Sequence, residues 1–520
     1  MKIINCLIFS LAALNLCAQP SLTWQKTYGG TNHEYIHQAI PTADGGFAFI
    51  GYSESSDGDL SQNQGYEDLW VAKADASGNL QWSHTYGGSE DEQGAAIVEG
   101  SDGCFYVAGW TESTDGDVSG LHGTYGKDMW LLKLSASGSL LKQKCLGGTS
   151  DEEAAALVAG PSGVLFAAGI TYSYDGDVSG NHGSYETDAW VVKIDTALNL
   201  LAQRCVGGSD FEEAMGLVYT ADGGVAITGR AYSNDGDITG YHDGSDMLIA
   251  KLSSTLAVEW AKCFGGSQTE EGNDIVQLPD QSFCVLGYTS THNNGDVSGH
   301  HGAQGTDDFW LVKVSSTGTL EWARCYGGSG DDQANGLVLA ADGGYAMCGL
   351  TNSNDGDVSG FHQGFFAPDY WVAKVDASGN FLWQRCCGGS GQDESFRIYE
   401  ESPNVYIVCG FTYSPDGDVT NWKGDADGWI IRVTGAVGIG EDGENAAVSV
   451  YPNPADQIVN FSGMDAQRIR LWSASGSLCY EADAGKSISV EALSPGVYFL
   501  ELMSEDIIIT RKLQIIHRNQ

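Results

Sequence analysis

Residues 326–386 read YGGSGDDQANGLVLAADGGYAMCGLTNSNDGDVSGFHQGFFAPDYWVAKVDASGNFLWQRC, and this stretch decides the fold. Its opening Gly-Gly pair recurs at intervals of 58, 60, 60, 58, 62 and 61 residues. The first glycines of the seven pairs are Gly29, Gly87, Gly147, Gly207, Gly265, Gly327 and Gly388. A fixed period of this length indicates a chain built from seven repeated structural units.

Two further landmarks recur with the same period. An Asp-Gly-Asp triplet begins at Asp57, Asp115, Asp175, Asp235, Asp355 and Asp416, with Asn294 at the equivalent position of the fifth unit. An Asp-x-Trp motif ends at Trp70, Trp130, Trp190, Trp310, Trp371 and Trp429, with Leu248 in the fourth unit. Because the tryptophans lie inside apolar runs, we expect them to form a core between units rather than a ligand platform.

Each unit contains four short apolar runs. In the sixth unit they are residues 334–340, 345–351, 369–375 and 381–386, and Gly, Asp, Ser or Asn bounds each of them. Short runs rich in aromatic and β-branched residues are typical of strands, and four per unit predict propeller blades. The seventh unit lacks its fourth run, whereas Leu22-Thr23-Trp24 precedes the first unit. We therefore predict an all-β, seven-bladed β-propeller over residues 19–435 that an N-terminal strand closes.

The repeats also resemble those of secreted bacterial and archaeal β-propellers. The resemblance rests on Tyr326-Gly327-Gly328, Asp342-Gly343-Gly344-Tyr345 and Trp371-Val372-Ala373-Lys374, and it covers most of the chain. It implies the fold but not the function, because propellers serve binding, scaffolding and several chemistries.

The N-terminus has the pattern of an export signal. Lys2 precedes an apolar run that ends near Leu16, and Cys17-Ala18-Gln19 follows. The run is too short for a membrane span, so we predict a signal peptide over residues 1–18 that is cleaved after Ala18. A lipoprotein would use Cys17, but the bulky Leu16 argues against it. We expect no transmembrane segment in the mature chain.

The composition changes after residue 435. Residues 436–446 form a Gly-rich acidic linker, and residues 447–520 form a separate small domain of alternating strands. Three ordered motifs resemble the C-terminal sorting domain of type IX secretion substrates: Tyr451-Pro452-Asn453-Pro454, a segment around Gly496, and Arg511-Lys512-Leu513. The resemblance implies an Ig-like β-sandwich, the type IX secretion machinery as a partner, and a protein that is secreted or held at the outer cell surface. An ordinary terminal sandwich domain is the alternative.

The charge excludes one class of partner. The chain has 68 acidic and 25 basic residues among 520, which gives a net charge of −43. Nucleic-acid binding needs a clustered positive surface, so we expect no nucleic-acid partner. An acid follows each Gly-Gly pair, and strand order predicts that these acids project from the same face as the long Asp-Gly-Asp loops. They are Glu34, Glu92, Glu152, Glu212, Glu270, Asp332 and Asp393.

The long loops suggest a calcium site. Oxygen-bearing side chains alternate along each loop, and hard cations prefer such clusters. The candidates are Asp57, Asp59, Asp115, Asp117, Ser119, Asp128, Asp175, Asp177, Asp235, Asp237, Asp355, Asp357, Asp416 and Asp418. The alternative, which we favour, is a structural turn in which Asp binds backbone N–H groups and Gly supplies positive φ. Five loop histidines then brace the loop by hydrogen bonds rather than bind zinc: His122, His182, His242, His301 and His362.

Residues that break the repetition are candidates for a single ligand site. Five of them lie where the second strand ends, near the acidic face: Trp110, Tyr172, Arg230, Tyr232 and Tyr413. Aromatic side chains there could stack on sugars, although variable loop residues are the simpler explanation. Outside the signal peptide the chain has eleven cysteines, which we expect to be mostly buried thiols.

No nucleophile elbow, phosphate loop or metalloprotease helix is present in the sequence. We therefore predict an exported, non-catalytic binding or adhesion propeller, monomeric, whose acidic face binds cations, glycans or a surface protein, with no certain cofactor apart from the calcium candidate. The alternative is a secreted polysaccharide lyase or glycoside hydrolase that uses acids such as Glu152 with His182. A structural role in the cell envelope is a third hypothesis.

Overall fold

The computed structural model describes most of the repeats and parts of the C-terminal region. The described residues are 20–123, 126–183, 186–362, 367–435, 449–451, 457–462, 466–473, 478–503 and 508–515. The predicted signal peptide, the linker and the motif residues Pro452, Asn453 and Pro454 lie outside them. The chain divides into two compact units, one of residues Gln19–Ala436 and one that contains residues 437–520.

The larger unit consists of seven four-stranded antiparallel sheets. The first strands are β2 (Glu34–Pro41), β6 (Glu92–Glu99), β10 (Glu152–Ala159), β14 (Glu212–Tyr219), β18 (Glu270–Gln277), β22 (Asp332–Leu339) and β26 (Asp393–Ser402). The second strands are β3 (Phe47–Ser53), β7 (Phe105–Thr111), β11 (Val164–Thr171), β15 (Val225–Ala231), β19 (Phe283–Thr289), β23 (Tyr345–Thr351) and β27 (Val405–Thr412).

The third and fourth strands complete the sheets. The third strands are β4 (Asp68–Ala74), β8 (Asp128–Leu134), β12 (Asp188–Asp195), β16 (Asp246–Leu252), β20 (Asp308–Val314), β24 (Asp369–Val375) and β28 (Asp427–Thr434). The fourth strands are β5 (Leu80–Tyr86), β9 (Leu140–Leu146), β13 (Leu200–Val206), β17 (Val258–Phe264), β21 (Leu320–Tyr326), β25 (Phe381–Cys387) and β1 (Ser21–Tyr28). One 3₁₀ turn, Pro161–Gly163, precedes β11.

The first strands form the inside of a ring. Each of them packs against the first strands of the preceding and following sheets, and β26 packs against β2. The seventh sheet has the order β1-β28-β27-β26, and β1 pairs with β28 from Ser21↔Thr434 to Tyr28↔Gly428. Radially repeated four-stranded sheets around a central channel define a β-propeller.

Packing between sheets explains the composition of the middle strands. In β3 and β4 nearly every residue is buried, because neighbouring sheets cover both faces, whereas the outer strand β5 is only partly covered. The six motif tryptophans have no exposed surface, as predicted for a core between units. Five of them donate Nε1–H to the fourth strand, for example Trp130 to Gln143 at 3.0 Å and Trp190 to Gln203 at 2.9 Å.

The smaller unit is built from two antiparallel sheets. One has the order β29 (Ser449–Tyr451), β30 (Ile458–Ser462), β33 (Ser487–Ser489), and the other has the order β32 (Leu478–Gly485), β31 (Ala466–Ser473), β34 (Gly496–Met503), β35 (Ile508–Ile515). Val459 and Phe461 of the first sheet share one core with Leu471 and Leu500 of the second. Two sheets packed over one core form a β-sandwich. Tyr451 ends β29, Gly496 begins β34 and Lys512 pairs with Phe499.

The cysteines agree with the expectation of buried thiols. Within the described residues no disulfide is present, and nine of the eleven cysteines are buried. Burial raises the pKa of Cys145 to about 12, so this thiol remains protonated and unreactive at neutral pH.

One tryptophan yields a stability prediction. Trp310 Nε1 is buried without a hydrogen-bond partner, because Ala323 stands where its counterparts have Gln143 or Gln203. We expect Ala323→Gln to supply the acceptor and to raise the free energy of unfolding by ~1 kcal/mol. Thermal unfolding measures the effect. Gln143→Ala is the matched reverse change and should be destabilising; a loss of stability in both variants would contradict the prediction.

Candidate binding face

Each Asp-Gly-Asp loop docks on the Gly-Gly turn of its own repeat. In the third repeat, Asp175 Oδ1 accepts the N–H of Thr149 at 2.8 Å, and Asp177 donates its N–H to the Gly147 carbonyl at 2.8 Å. Gly176 between them has φ +65°, in the left-handed region that favours glycine. The same first contact recurs for Asp57, Asp115, Asp235, Asp355 and Asp416 at 2.7 to 2.9 Å.

These contacts bear on the calcium hypothesis. The first aspartates are exposed and the second ones are partly exposed, whereas Asp128 at the start of β8 is fully buried. Ser119 lies beside Gln143, whose Nε2 donates to the Ser119 carbonyl at 2.9 Å. In the described part of the chain, no three His, Cys, Asp or Glu side chains converge as metal ligands. Each loop has the geometry of a structural turn, and calcium binding stays a prediction.

The loop histidines brace the loops. His122 Nδ1 lies 2.6 Å from Asp128 Oδ2, and the same contact joins His182 to Asp188 at 2.6 Å. His242, His301 and His362 make it at 2.8 to 2.9 Å. On its other side, His122 Nε2 is 3.9 Å from Asp177 of the next repeat. The equivalent contacts of His182, His242 and His301 are 3.7 to 3.9 Å, so these four histidines approach the loop of the next repeat, as a loop-bracing role predicts.

The seven acids after the Gly-Gly pairs do not project from the face. All seven are completely buried. Glu152, for example, accepts the N–H of Gly148 at 2.7 Å and the hydroxyl of Thr171 at 2.6 Å. The expectation was wrong because these side chains turn into the gap between sheets, where backbone N–H and hydroxyl groups donate hydrogen bonds to them. Glu152 and His182 therefore do not form an open acid/base pair.

Carboxylates that are mostly partly exposed lie in neighbouring positions, at the mouth of the channel. We define the mouth as five rows of residues around the ring. Two rows are the residues before and after the acid that begins each first strand. Two more are the last-but-one residue of each second strand and the residue that follows the end of that strand, and the fifth is the residue before each third strand. Hydrogen bonds join the rows: Tyr172 N–H donates to the Asp151 carbonyl at 2.9 Å, and Glu152 N–H donates to the Lys127 carbonyl at 2.7 Å. The register places Gln93 opposite Trp110 and Glu213 opposite Arg230.

The mouth is acidic and asymmetric. Its carboxylates are Glu54, Glu67, Asp91, Glu112, Asp151, Glu153, Glu213, Glu271, Asp307, Asp331 and Glu394. Its cations at neutral pH are Lys127 and Arg230, and both are paired with carboxylates. Acid thus greatly exceeds base at this end of the ring.

An aromatic cluster occupies the part of the mouth where the last and first sheets meet. Tyr35 stacks on Tyr52 with ring centroids 4.9 Å apart, and its hydroxyl lies 2.7 Å from that of Tyr413. Phe411 packs against Tyr35 at 4.2 Å, and His33 lies 5.8 Å from Tyr413. Burial raises the pKa of Tyr35 far above its ordinary value, so its hydroxyl is neutral.

The other sequence candidates lie around the same mouth. Lys127 Nζ covers the Trp110 ring at 3.8 Å from its centroid, so this ring face is occupied. Arg230 pairs with Glu213 at 2.9 Å and with Glu271 at 3.4 Å. Burial opposes the charge on Arg230, but the two carboxylates raise the pKa of its guanidinium. Tyr172 is half-buried, and Tyr232 packs against Phe211 at 6.4 Å.

Sequence reasoning missed several mouth residues, among them Tyr35, Tyr52, Glu153 and Glu271. A signal was present: the repeated acid is always Glu or Asp, whereas the residue after it is Tyr, Gln or Glu in different repeats. Variation inside an otherwise repeated strand marks positions that the shared fold leaves free.

Comparison with known families identifies the C-terminal unit. Residues 449–516 match the family described as "Secretion system C-terminal sorting domain". The protein is therefore handled by the type IX secretion machinery and exported to the cell surface or the medium. In the described residues, no helix has the length and apolar character needed to cross a membrane.

Comparisons over the repeats give distant likenesses. The chain is 25% identical over 322 residues to the regulatory protein FlaEY of Caulobacter vibrioides, which covers 55% of this chain and 32% of that protein. It thus spans about a third of the length of the curated relative that it matches. The WD40 domain of Neurospora crassa Pan2 superposes with a TM-score of 0.42 at 8% identity, covering 77% of this chain and 89% of that one. YCF48 bound to a D1 peptide superposes with a TM-score of 0.38 at 10% identity, covering 82% and 99%.

The loop geometry yields a test of turn against calcium. Asp115→Asn keeps the Oδ1 acceptor for Ser89 N–H, so we expect little change in stability, whereas Asp115→Ala removes it and should cost ~1 kcal/mol. Thermal unfolding with calcium and with a chelator checks both variants. A calcium-dependent rise in Tm of the unmodified protein that Asp115→Asn abolishes would refute the turn interpretation at this loop.

Proposed function

We propose that the protein is an exported, non-catalytic binding propeller whose channel mouth holds a basic segment of a partner protein. The seven sheets are in this proposal the blades of one ring that β1 closes. The observation that carries it is the excess of carboxylates at the mouth beside one aromatic cluster. A face with eleven carboxylates and two paired cations attracts a cationic partner and accelerates its encounter.

The position of the aromatic cluster supports one ligand orientation. Tyr35, Tyr52 and Tyr413 lie at the junction of the first and seventh sheets. The carboxylates Glu112, Asp151 and Asp331, which are not paired with Lys127 or Arg230, lie at the ends of strands of the second, third and sixth sheets. Aromatic rings contact the apolar stems of Lys and Arg side chains or stack on their charged groups, and carboxylates bind the ammonium and guanidinium groups. A single site of this kind needs no sevenfold repetition, which fits the variation at these positions.

The rigidity of the ring supports binding rather than gating. The first strands are fixed on both sides by their neighbours, so the mouth residues project from a preorganised scaffold. Export through the type IX system delivers this face to the outside of the cell. That location is consistent with a role in adhesion or in capture of a partner.

Binding is tested with a lysine- and arginine-rich peptide, an acidic peptide of equal length, and a neutral glycan array, each with and without calcium. We expect the basic peptide to bind and its affinity to fall with salt, because exposed charges are screened. The triple variant Glu112→Gln, Asp151→Asn, Asp331→Asn should weaken binding about tenfold.

The matched control removes three carboxylates far from the mouth. Glu259 and Glu321 are the second residues of the outer strands β17 and β21, and Glu401 is the last-but-one residue of β26, all at the opposite end of the sheets. Glu259→Gln, Glu321→Gln, Glu401→Gln should leave the affinity unchanged. Equal losses in the two triple variants, or binding of glycans but not of the basic peptide, would contradict the proposed function.

A further inference from the structure

Two carboxyl groups meet at every junction between neighbouring sheets. One belongs to the acid that begins a first strand, and the other to the aspartate that begins the third strand of the preceding sheet. The pairs are Glu34 with Asp427, Glu92 with Asp68, Glu152 with Asp128, Glu212 with Asp188, Glu270 with Asp246, Asp332 with Asp308, and Asp393 with Asp369. All fourteen side chains are completely buried.

The first glycine of each Gly-Gly pair shows how closely the two groups converge. A Cβ at Gly147 would lie 2.4 Å from Glu152 Oε2 and 2.8 Å from Asp128 Oδ1. The corresponding point at Gly388 is 2.5 Å from Asp393 Oδ2 and 2.7 Å from Asp369 Oδ1. Each pair therefore directs one oxygen from each carboxyl group toward a shared point beside a glycine.

One of the two facing oxygens has no donor. Glu152 accepts from Gly148 and Thr171, and Asp128 Oδ2 accepts the N–H of His122 at 3.0 Å and lies 2.6 Å from its Nδ1. Asp128 Oδ1 is buried with no hydrogen-bond partner, and so are the Oδ1 atoms of Asp188, Asp246, Asp308, Asp369 and Asp427. In the remaining pair, Asp68 Oδ1 accepts from Gly65 at 3.2 Å. Two buried carboxylates that converge on one point repel each other, and a proton on one of them relieves that repulsion and supplies a donor.

We propose that each junction between sheets binds one proton on its pair of carboxyl groups, so that the ring binds protons as it folds and loses stability as the pH rises from weakly acidic to weakly basic. The proton converts the unpartnered oxygen into a donor and removes one of two buried like charges. The paired geometry is repeated at every junction, with a partnerless oxygen in six of the seven pairs, and it is independent of the mouth.

The electrostatics of the pairs agree with this geometry. Burial, with a smaller contribution from the charge of the paired aspartate, raises the pKa of Glu92, Glu212, Asp332 and Asp393 to about 7. Burial likewise raises the pKa of Asp427 to about 7 and of Asp246 to about 6. Unfolded carboxyls titrate near ~4, so the folded state binds more protons. The resulting stability is fully present below about pH 4 and is lost as the pH rises toward about 7.

Other charged groups face the pairs from the neighbouring elements. On the loop side, they are the imidazoles of His122, His182, His242, His301 and His362 and the ammonium of Lys423. The second aspartate of the next repeat's Asp-Gly-Asp loop also faces several pairs. For example, Asp177 faces the pair that contains Asp128, and Asp418 faces the pair that contains Asp369. The strand thiols Cys145, Cys205, Cys263, Cys325 and Cys386 lie beneath. These aspartates add to the repulsion that a proton relieves.

A calcium ion is a poorer occupant than a proton. Calcium takes six to eight oxygens, and in the pair of Glu152 and Asp128 the remaining oxygens already accept hydrogen bonds from backbone, hydroxyl or imidazole groups. A proton needs the two facing oxygens alone.

The test follows thermal unfolding of the full chain by tryptophan fluorescence between about pH 5 and pH 8, in about 0.5 M NaCl to screen surface repulsion. We expect Tm to fall by at least ~5 °C over this range. Urea unfolding of the unmodified protein in a weakly buffered solution near pH 6 should release several protons per molecule, a count that needs no variant.

The variant Asp128→Asn, Asp188→Asn replaces two shared protons by amide N–H groups that donate to Glu152 and Glu212. Between about pH 5 and pH 8, the fall in Tm of this variant should be about a quarter smaller than that of the unmodified protein, because two of the seven pairs no longer titrate. The control Glu90→Gln, Glu259→Gln removes two exposed carboxylates and should keep the full dependence. A flat or rising Tm, no proton release, or equal slopes in variant and control overturns the proposal. A calcium-dependent Tm at pH 8 that the asparagine variant abolishes also overturns it, in favour of a cation.

Discussion

The absence of a Cβ at the first glycine of each Gly-Gly pair is the constraint on which the propeller depends. At Gly147, that missing atom leaves room for carboxyl groups from two neighbouring sheets, and at Gly148 a Cβ would lie 2.5 Å from Asp175 of the docked loop. The Gly-Gly turn, the Asp-Gly-Asp loop and the junction between two sheets therefore all meet at two adjacent residues that have no side chain. The most visible repeat in the sequence is thus a packing requirement rather than a binding motif.

This division between packing and function runs through the whole ring. Features present in every repeat, such as the buried acids, the loop turns and the tryptophans, belong to the junctions that hold the sheets together. Features present once, such as the contact between Tyr35 and Tyr413 or the pairing of Arg230 with Glu213 and Glu271, lie at the mouth. Sevenfold repetition spreads stability evenly, and departures from it mark positions where the chain is free to recognise a partner.

The sequence was sufficient for everything governed by local pattern. Strand runs, turn residues, the tryptophan core and the buried thiols follow from period, burial and neighbouring residues. It was insufficient where the direction of a side chain depends on a distant residue. Glu152 was expected at the surface, but it points toward Asp128, and that pairing arises between two sheets. Tyr35 and Tyr413 are separated by almost the whole repeat region, so their contact joins the first sheet to the seventh and follows from no local signal.

Buried acids at the junctions have a physical rationale despite the cost of burying charge. A carboxyl group offers several acceptor sites, and Glu152 uses them for the Gly148 N–H and the hydroxyl of Thr171. An apolar residue there would leave both donors buried and unsatisfied, which costs more than a single lost hydrogen bond. Directional bonds also fix the register of one sheet against the next, which apolar packing specifies less strictly. The acid therefore serves the alignment of the ring, and its protonation removes the charge that would otherwise oppose burial.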